Sequence, residues 1–312
     1  MTKAVLSAMI RPLVEPLLPG WVEPQWFMSK EQALELAPRA EIGWFDFTQP
    51  EPMVEVVTAA TQLKWLNSIY AGLDFLPLDL LRERGVTVTN GAGINAITIA
   101  EYTVMLMLAH AKGYRDVVRA QDRREWLLDS PGKRELAGER VLLLGLGAIG
   151  GLIKTRLEAF DMKVVPVRRS GEQGALRPGE WRGRLGEFDW VILAVPSTAE
   201  TAGMIGAAEL AAMRPNAVLV NIARGDVVKQ DALIEALREN RIEAALLDVT
   251  DPEPLPADHP LWELANAQIT MHLSGRAQTK MFQRSADRFI ANLEHWHSGQ
   301  PVAPQMDLEL GY

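Results

Sequence analysis

The sequence predicts an α/β protein built from two parallel-sheet domains. Three observations carry that expectation. The chain has 312 residues, room for two domains with sizeable cores. Short apolar runs alternate with helical stretches on both sides of one long helical segment. A glycine pattern, Gly145-x-Gly147-x-x-Gly150, follows an apolar run and opens a helix. Composition agrees, because 48% hydrophobic and 23% charged residues describe a folded globular chain, not a disordered one. Cysteine is absent, which removes disulfides, thiolate metal sites and cysteine nucleophiles and leaves any redox chemistry to a bound cofactor. A net charge of −8 argues against an extended nucleic-acid or anionic-membrane surface.

The first strand is expected at Lys3–Ala8. The apolar run from Ala4 to Ile10 is broken by Arg11 and Pro12, so it reads as a strand, not a signal peptide. Further strands are expected at Glu41–Phe47, Leu63–Tyr70 and Val86–Asn90, with helices at Ser29–Ala37, Pro52–Ala60 and Pro77–Arg84. One long helix is expected over Ala96–Ala120, with Ile97, Ala100, Val104, Leu108 and Ala111 on its core face. Glu101 interrupts its apolar run, no membrane span is predicted, and a cytoplasmic, soluble protein is expected. A polar stretch, Asp122–Glu139, holds a turn at Pro131-Gly132. The second α/β series then places strands at Arg140–Leu144, Lys163–Val167, Trp190–Val195, Ala217–Ile222, Glu243–Val249 and Gln268–Met271. A helix is expected at Lys229–Glu239, and a terminal one at Gln278–Trp296.

The glycine pattern has the context that a dinucleotide-binding, Rossmann-type turn requires: a strand before it and a helix after it. Gly145 makes the tight turn, Gly147 lets the backbone approach a pyrophosphate, and Gly150 lets helix and strand pack closely. The helix start at Ala148 and Ile149 offers N–H groups and a positive dipole end. The bland alternative is a glycine-rich turn without a ligand. The next strand runs into Arg168-Arg169-Ser170, where an NAD-specific fold usually carries an acid that binds the ribose 2′-OH. Two arginines and a hydroxyl suit a 2′-phosphate instead, so NADP(H) is preferred and NAD(H) is the alternative. Otherwise the arginines are solvated surface charge.

Three further segments lie at the ends of expected strands, where open sheets bind ligands. They are Val220-Asn-Ile-Ala-Arg224-Gly-Asp, Leu247-Asp248-Val-Thr-Asp-Pro-Glu253 and Ile269-Thr-Met-His272-Leu-Ser-Gly275. Singly, Arg224 reads as a surface charge, Glu253 as a loop acid and His272 as a structural histidine. In this order, after a dinucleotide turn, they resemble the D-isomer-specific 2-hydroxyacid dehydrogenase family, which includes glyoxylate/hydroxypyruvate reductases and phosphoglycerate dehydrogenases. The resemblance extends to Leu63–Asp74, to Ile99-Ala-Glu101-Tyr and to the Ala194–Thr201 segment, and so covers most of the chain.

That resemblance implies two Rossmann/flavodoxin-like domains, with the dinucleotide-binding domain, residues 98–274, inserted into a discontinuous substrate domain made of residues 1–97 and 275–312. A cleft between them would close over cofactor and substrate. It implies that Arg224 orients a 2-oxo acid, that His272 is the acid/base and that Glu253 pairs with it. Ala71 and Gly72 would receive the substrate carboxylate. Pro196, Thr201, Ile222, Ala223 and Asp248 would contact the cofactor, Asp248 facing the nicotinamide carboxamide. The chemistry fits these residue types. Hydride delivery to a carbonyl carbon builds negative charge on oxygen, which calls for a proton donor and a fixed cation. A histidine titrates in the range suited to the first task, and an arginine fork can hold a carboxylate or carbonyl oxygen in near-attack geometry.

Two positions depart from the family pattern. Met271 stands before the histidine where proline is usual, and Thr250 stands where a larger residue is usual; both bear on the loop around His272 and on substrate preference. The pocket is expected to draw on Ile69–Leu73 and the surroundings of Trp44. The family also implies a homodimer. Trp126 then reads either as a residue reaching the partner's site or as a domain-packing tryptophan. Most of the other tryptophans are expected in cores, and Arg115, Arg119, Arg123 and Arg124 on a solvated or interface face. No HExxH pattern or thiolate set accompanies the five histidines, so no metal is expected, and no G-x-S-x-G elbow occurs. The reading is reduction of a small 2-oxo acid. A dinucleotide-sensing, corepressor-like binding protein on the same scaffold is the alternative.

Overall fold

The structure, a computed structural model, describes residues 1–73, 75–171, 174–276 and 278–309. The chain forms two compact units, Met1–Asn95 with Ala277–Tyr312, and Ala96–Arg276.

The first unit holds a five-stranded parallel sheet in the order β2-β1-β3-β4-β5, with β1 Thr2–Ser7, β2 Val22–Phe27, β3 Ile42–Trp44, β4 Trp65–Asn67 and β5 Thr87–Thr89. Successive side chains on β1 divide between two cores, as a period of two requires. Val5 packs with Phe27, Phe45, Met53, Val56 and Leu66. Ala4 and Leu6 pack with Trp44, Trp65, Phe289 and Leu293. Helices α1 (Arg11–Val14), α2 (Lys30–Leu36), α3 (Glu51–Ala59) and α4 (Leu78–Glu83) connect the strands, and the terminal helix, Gln278–His297, covers the tryptophan face. There the Phe289 ring lies 4.9 Å from Trp44 and 5.2 Å from Trp65. Strand β2 is absent from the sequence-based expectation. Its Pro24 and half-polar residues hide it, and proline is tolerated because β2 is an edge strand paired only with β1.

The second unit holds a six-stranded parallel sheet in the order β11-β10-β9-β8-β6-β7: β6 Arg140–Leu144, β7 Lys163–Val167, β8 Trp190–Leu193, β9 Val218–Asn221, β10 Ala244–Leu247 and β11 Ala267–Ile269. Beyond β7, Leu176 makes a single bridge to Val167 and stands where a further edge strand would lie. Strand order therefore reverses between β6 and β8, the position at which doubly wound sheets bind dinucleotides. The strands read as continuous apolar runs because both faces are covered. Leu142, Leu144, Val191 and Leu219 pack on one face, and Val141, Leu143, Ile192 and Val220 on the other.

Helices α5 (Ala96–Ala111), α6 (Tyr114–Asp122), α7 (Ala148–Glu158), α8 (Ala207–Ala212) and α9 (Gln230–Arg238) complete the unit. The single helix expected over Ala96–Ala120 is in fact two. The chain breaks at Gly113, which adopts a left-handed φ of +61° where the Pro131-Gly132 segment crosses it; a Cβ there would lie 2.7 Å from the Gly132 nitrogen. At the opposite end of the sheet from the strand-end loops, Arg134 joins Glu139 at 2.8 Å and Glu243 at 2.9 Å, with its guanidinium 4.5 Å from the centre of the Trp190 ring. Among the described residues no helix is long and apolar enough to cross a membrane.

Candidate active site

The glycine turn joins β6 to α7. Gly145 has φ +103°, and a Cβ on it would meet the Ala194 carbonyl oxygen at 2.4 Å, so only glycine fits. A Cβ on Gly150 would lie 2.0 Å from the Gly145 carbonyl oxygen, so α7 starts directly against the turn. Gly147, the N-cap, is different: nothing lies within 4 Å of its would-be Cβ, and no side chain caps the helix. The open flank, the exposed Ala148 and the half-exposed Ile149 leave the first N–H groups and the positive dipole end available to an anion. These residues fit a dinucleotide pyrophosphate.

Gly145 N–H donates to the Val167 carbonyl at 3.1 Å, which brings the end of β7 beside the turn. Arg168, Arg169 and Ser170 follow immediately. Arg169 makes an exposed ion pair with Glu200 at 3.3 Å. A third arginine joins them that sequence reasoning missed: the Arg177 side chain lies 3.0 Å from the position of a Cβ on Gly171. The Leu176 bridge to β7 is what brings it there, and no local pattern announces that bridge. In the loop after β8, Thr201 closes the segment on itself, its hydroxyl donating to the Pro196 carbonyl at 2.6 Å and accepting from Thr198 N–H at 2.8 Å. Ile222 and Ala223 are buried just beyond β9. Asn221, also missed, shapes their turn by accepting from Ala223 N–H at 3.0 Å and donating to the Arg224 carbonyl at 2.9 Å.

The loops after β9, β10 and β11 converge. Arg224 is exposed, with one guanidinium nitrogen donating to the Ala223 carbonyl at 2.9 Å. A Cβ on the next residue, Gly225, would lie 2.0 Å from the Thr250 carbonyl oxygen, so the arginine loop rests on the loop that carries Glu253. Glu253 is held by Thr250 N–H at 3.0 Å, and its other oxygen meets His272 Nδ1 at 2.7 Å. A carboxylate only accepts, so Nδ1 carries the proton of that bond. The other ring nitrogen, Nε2, has no hydrogen-bond partner among the described residues. The imidazole is thus anchored on one side and open on the other.

Asp248 holds the loop that carries the histidine. It is 2% exposed, and its carboxylate accepts from Thr270 Oγ1 at 2.7 Å, Leu273 N–H at 3.1 Å, Ser274 N–H and the Ser274 hydroxyl. Its backbone carbonyl accepts His272 N–H at 2.6 Å. This set builds the histidine loop. Met271 and His272 both take left-handed backbone, φ +54° and +56°. Proline cannot adopt such a φ, so the departure at Met271 belongs with a different loop path.

In the first unit, the turn after β4 carries Ala71 and Gly72. The Asn90 side chain donates to the Ala71 carbonyl at 2.8 Å, and Gly91 N–H donates to Tyr70 O at 2.7 Å. The N–H groups of Ala71 and Gly72 have no partner among the described residues. Asp74 lies outside the described residues. Trp44 does not line an open pocket. It is 1% exposed, because its ring is packed against Phe289.

Residues 104–274 match the family model described as "D-isomer specific 2-hydroxyacid dehydrogenase, NAD binding domain". The chain belongs to the D-isomer-specific 2-hydroxyacid dehydrogenase family. It is 34% identical to the glyoxylate/hydroxypyruvate reductase B of Pectobacterium atrosepticum over 79% of this chain and 81% of that one. The solved structure of a D-isomer-specific 2-hydroxyacid dehydrogenase family protein from Aeromonas salmonicida superposes with a TM-score of 0.87 at 30% identity, covering 98% and 99% of the two chains. The NADPH-dependent glyoxylate/hydroxypyruvate reductase of Sinorhizobium meliloti, solved with NADP and malonate, gives 0.78 at 25% identity over 99% and 98%. The chain spans about half the length of the D-3-phosphoglycerate dehydrogenases it also matches. As a 2-hydroxyacid dehydrogenase it is an oxidoreductase with two parallel-sheet domains, one of them an NAD-binding domain.

Proposed function

We propose that the protein reduces a small 2-oxo acid of the glyoxylate or hydroxypyruvate class to the D-2-hydroxy acid, with NADPH preferred over NADH. The observation that carries this reading is the His272 imidazole, anchored through Nδ1 on Glu253 at 2.7 Å and unpartnered at Nε2. Residues 98–274 serve as the dinucleotide-binding domain, and residues 1–97 with 275–312 as the substrate domain. The nicotinamide dinucleotide, when bound, supplies the hydride. Gly145, Gly147, Ala148, Ile149 and Gly150 receive its pyrophosphate, with Pro196, Thr201, Ile222 and Ala223 along its path. Asp248 faces the nicotinamide carboxamide and also holds the histidine loop. Arg168, Arg169 and Ser170 bind the 2′-phosphate, a reading supported by the absence of an acid at that strand end.

On the substrate side, the unpartnered N–H groups of Ala71 and Gly72 receive the carboxylate, and Arg224 fixes the 2-oxo acid by its planar fork. His272 donates its Nε2 proton to the carbonyl oxygen as negative charge builds there. Glu253 keeps the ring oriented throughout, and the same imidazole accepts the proton in the reverse direction. A homodimer is supported by Trp126 and Leu128, 90% and 97% exposed, beside the half-exposed Val117 and Val118 of α6. The same exposure favours the partner-reaching reading of Trp126 over the domain-packing one. The corepressor-like alternative has no observation of its own in its favour.

The test is NADPH oxidation with a panel of 2-oxo acids. Turnover of glyoxylate or hydroxypyruvate is expected, and no turnover on any member overturns the substrate class. A preference for NADH overturns the arginine assignment. His272→Ala is expected to lower kcat by at least ~100-fold with NADPH binding retained, and undiminished turnover removes His272 as the proton donor.

A further inference from the structure

Asp46 stands two residues beyond β3 and is 5% exposed, yet no basic side chain pairs with it among the described residues. Burying a carboxyl without a cation is costly, so what it holds in return is informative. Three donors converge on it. Trp44 Nε1–H reaches Oδ2 at 2.6 Å, Ser68 Oγ–H reaches Oδ1 at 2.7 Å, and Ile69 N–H reaches Oδ2 at 2.6 Å. Two of the three belong to the first residues after β4, so the carboxyl ties the end of β3 to the start of the next strand's turn. Ser68 Oγ in turn accepts Tyr70 N–H at 3.1 Å. The consequence is a division among four consecutive N–H groups. Those of Ile69 and Tyr70 are held inward by Asp46 and Ser68, and those of Ala71 and Gly72 have no partner among the described residues.

We propose that Asp46 is a positioning residue that holds the Ile69–Gly72 turn in the conformation in which Ala71 and Gly72 can receive an anionic substrate group. The proposal rests on the assignment of those two residues to the substrate carboxylate. Asp46 touches no reacting atom; it acts through the turn. Burial pushes its carboxyl up to about 6, opposed by the bonds from Ile69, Ser68 and Trp44, and no charged side chain contributes. An asparagine can reproduce the same contacts, its oxygen accepting from Trp44 and Ile69 and its amide donating to Ser68. An alanine can reproduce none.

The experiment measures kcat, KM for the 2-oxo acid and KM for NADPH in Asp46→Ala and Asp46→Asn, together with amide hydrogen exchange of peptides covering residues 65–73. In Asp46→Ala, KM for the 2-oxo acid is expected to rise by about 10-fold or more. In the same variant kcat and KM for NADPH stay within about 3-fold, and exchange in the turn accelerates. Asp46→Asn is expected to restore wild-type KM and exchange. Ser68→Ala removes the acceptor of Tyr70 N–H with Asp46 in place, and covers the case in which Asp46→Ala does not fold; it is expected to raise the same KM. An unchanged KM in Asp46→Ala with wild-type exchange overturns the proposal. So does an equal deterioration of kcat and both KM values, which marks a purely structural role. Should the wild type reduce no 2-oxo acid, the functional reading fails on that result alone. The exchange difference between the Ala and Asn variants still decides whether Asp46 holds the turn.

Discussion

At Met271 and His272 two successive side chains sit on left-handed backbone. Each such residue costs roughly 1–2 kcal/mol unless surrounding bonds hold it, and here Asp248 supplies those bonds through its carbonyl and its carboxylate. Met271→Pro, which restores the residue usual in the family, is therefore expected to lower kcat by about 10-fold or more; steady-state kinetics beside a thermal melt check it, and wild-type kinetics would show that the loop tolerates the other path. Asp46 allows a stability prediction of definite sign. Its folded-state value of about 6 lies above the ordinary 3.8, so the folded protein holds this proton more tightly than the unfolded chain does. The burden is full above pH 6, about 3 kcal/mol, and is relieved as pH falls from 6 towards 4. Denaturant unfolding of the wild type and Asp46→Asn across pH 4–7 is expected to show a stability difference that varies with pH in that window. A constant difference removes the assignment. Neither feature could be read from sequence. Two of the three partners of Asp46, Ser68 and Ile69, lie more than twenty positions further on, after β4, and the loop that carries Met271 is held by Asp248, 23 positions before Met271.

Among elements, legibility followed locality. The strand-turn-helix at Gly145–Gly150 was readable because the three glycines fall at fixed spacing between an apolar run and a helix, although the contact that requires Gly145 comes from Ala194, just beyond the neighbouring strand β8. Arg224, Glu253 and His272 were readable because parallel strands all deliver their C-terminal loops to one edge. Strand β2 was not, since an edge strand with Pro24 lacks the apolar alternation that marks its neighbours. The break between α5 and α6 was hidden because its cause, the crossing at Pro131-Gly132, lies about twenty residues further on. That crossing segment is tethered by Arg134, which spans Glu139 and Glu243 while lying over Trp190. Arg134→Ala leaves two carboxylates without their shared cation and is expected to cost ~2–4 kcal/mol in denaturant unfolding. A change below ~0.5 kcal/mol would show the network to be no more than surface decoration.

Across the whole molecule, the acidic balance of the chain is compatible with the anionic ligands proposed, because Arg168, Arg169 and Arg224 stand just beyond strand ends of one sheet and Arg177 lies beside Gly171. Global charge excludes broad anionic surfaces and says nothing of a local site. The exposed apolar residues around Trp126 lead to a prediction at this scale. Trp126→Asp with Leu128→Asp is expected to shift the protein from dimer to monomer in sedimentation, and a wild type that sediments as a monomer removes the homodimer outright.

The terminal helix that covers Trp44 and Trp65 follows the first sheet only after the whole of Ala96–Arg276. During synthesis the first sheet emerges with that face bare and stays so while all of Ala96–Arg276 is polymerised, roughly 10–40 s at ~5–20 residues per second. The nascent chain therefore carries a half-finished first unit, its aromatic wall uncovered, for as long as the second unit takes to make.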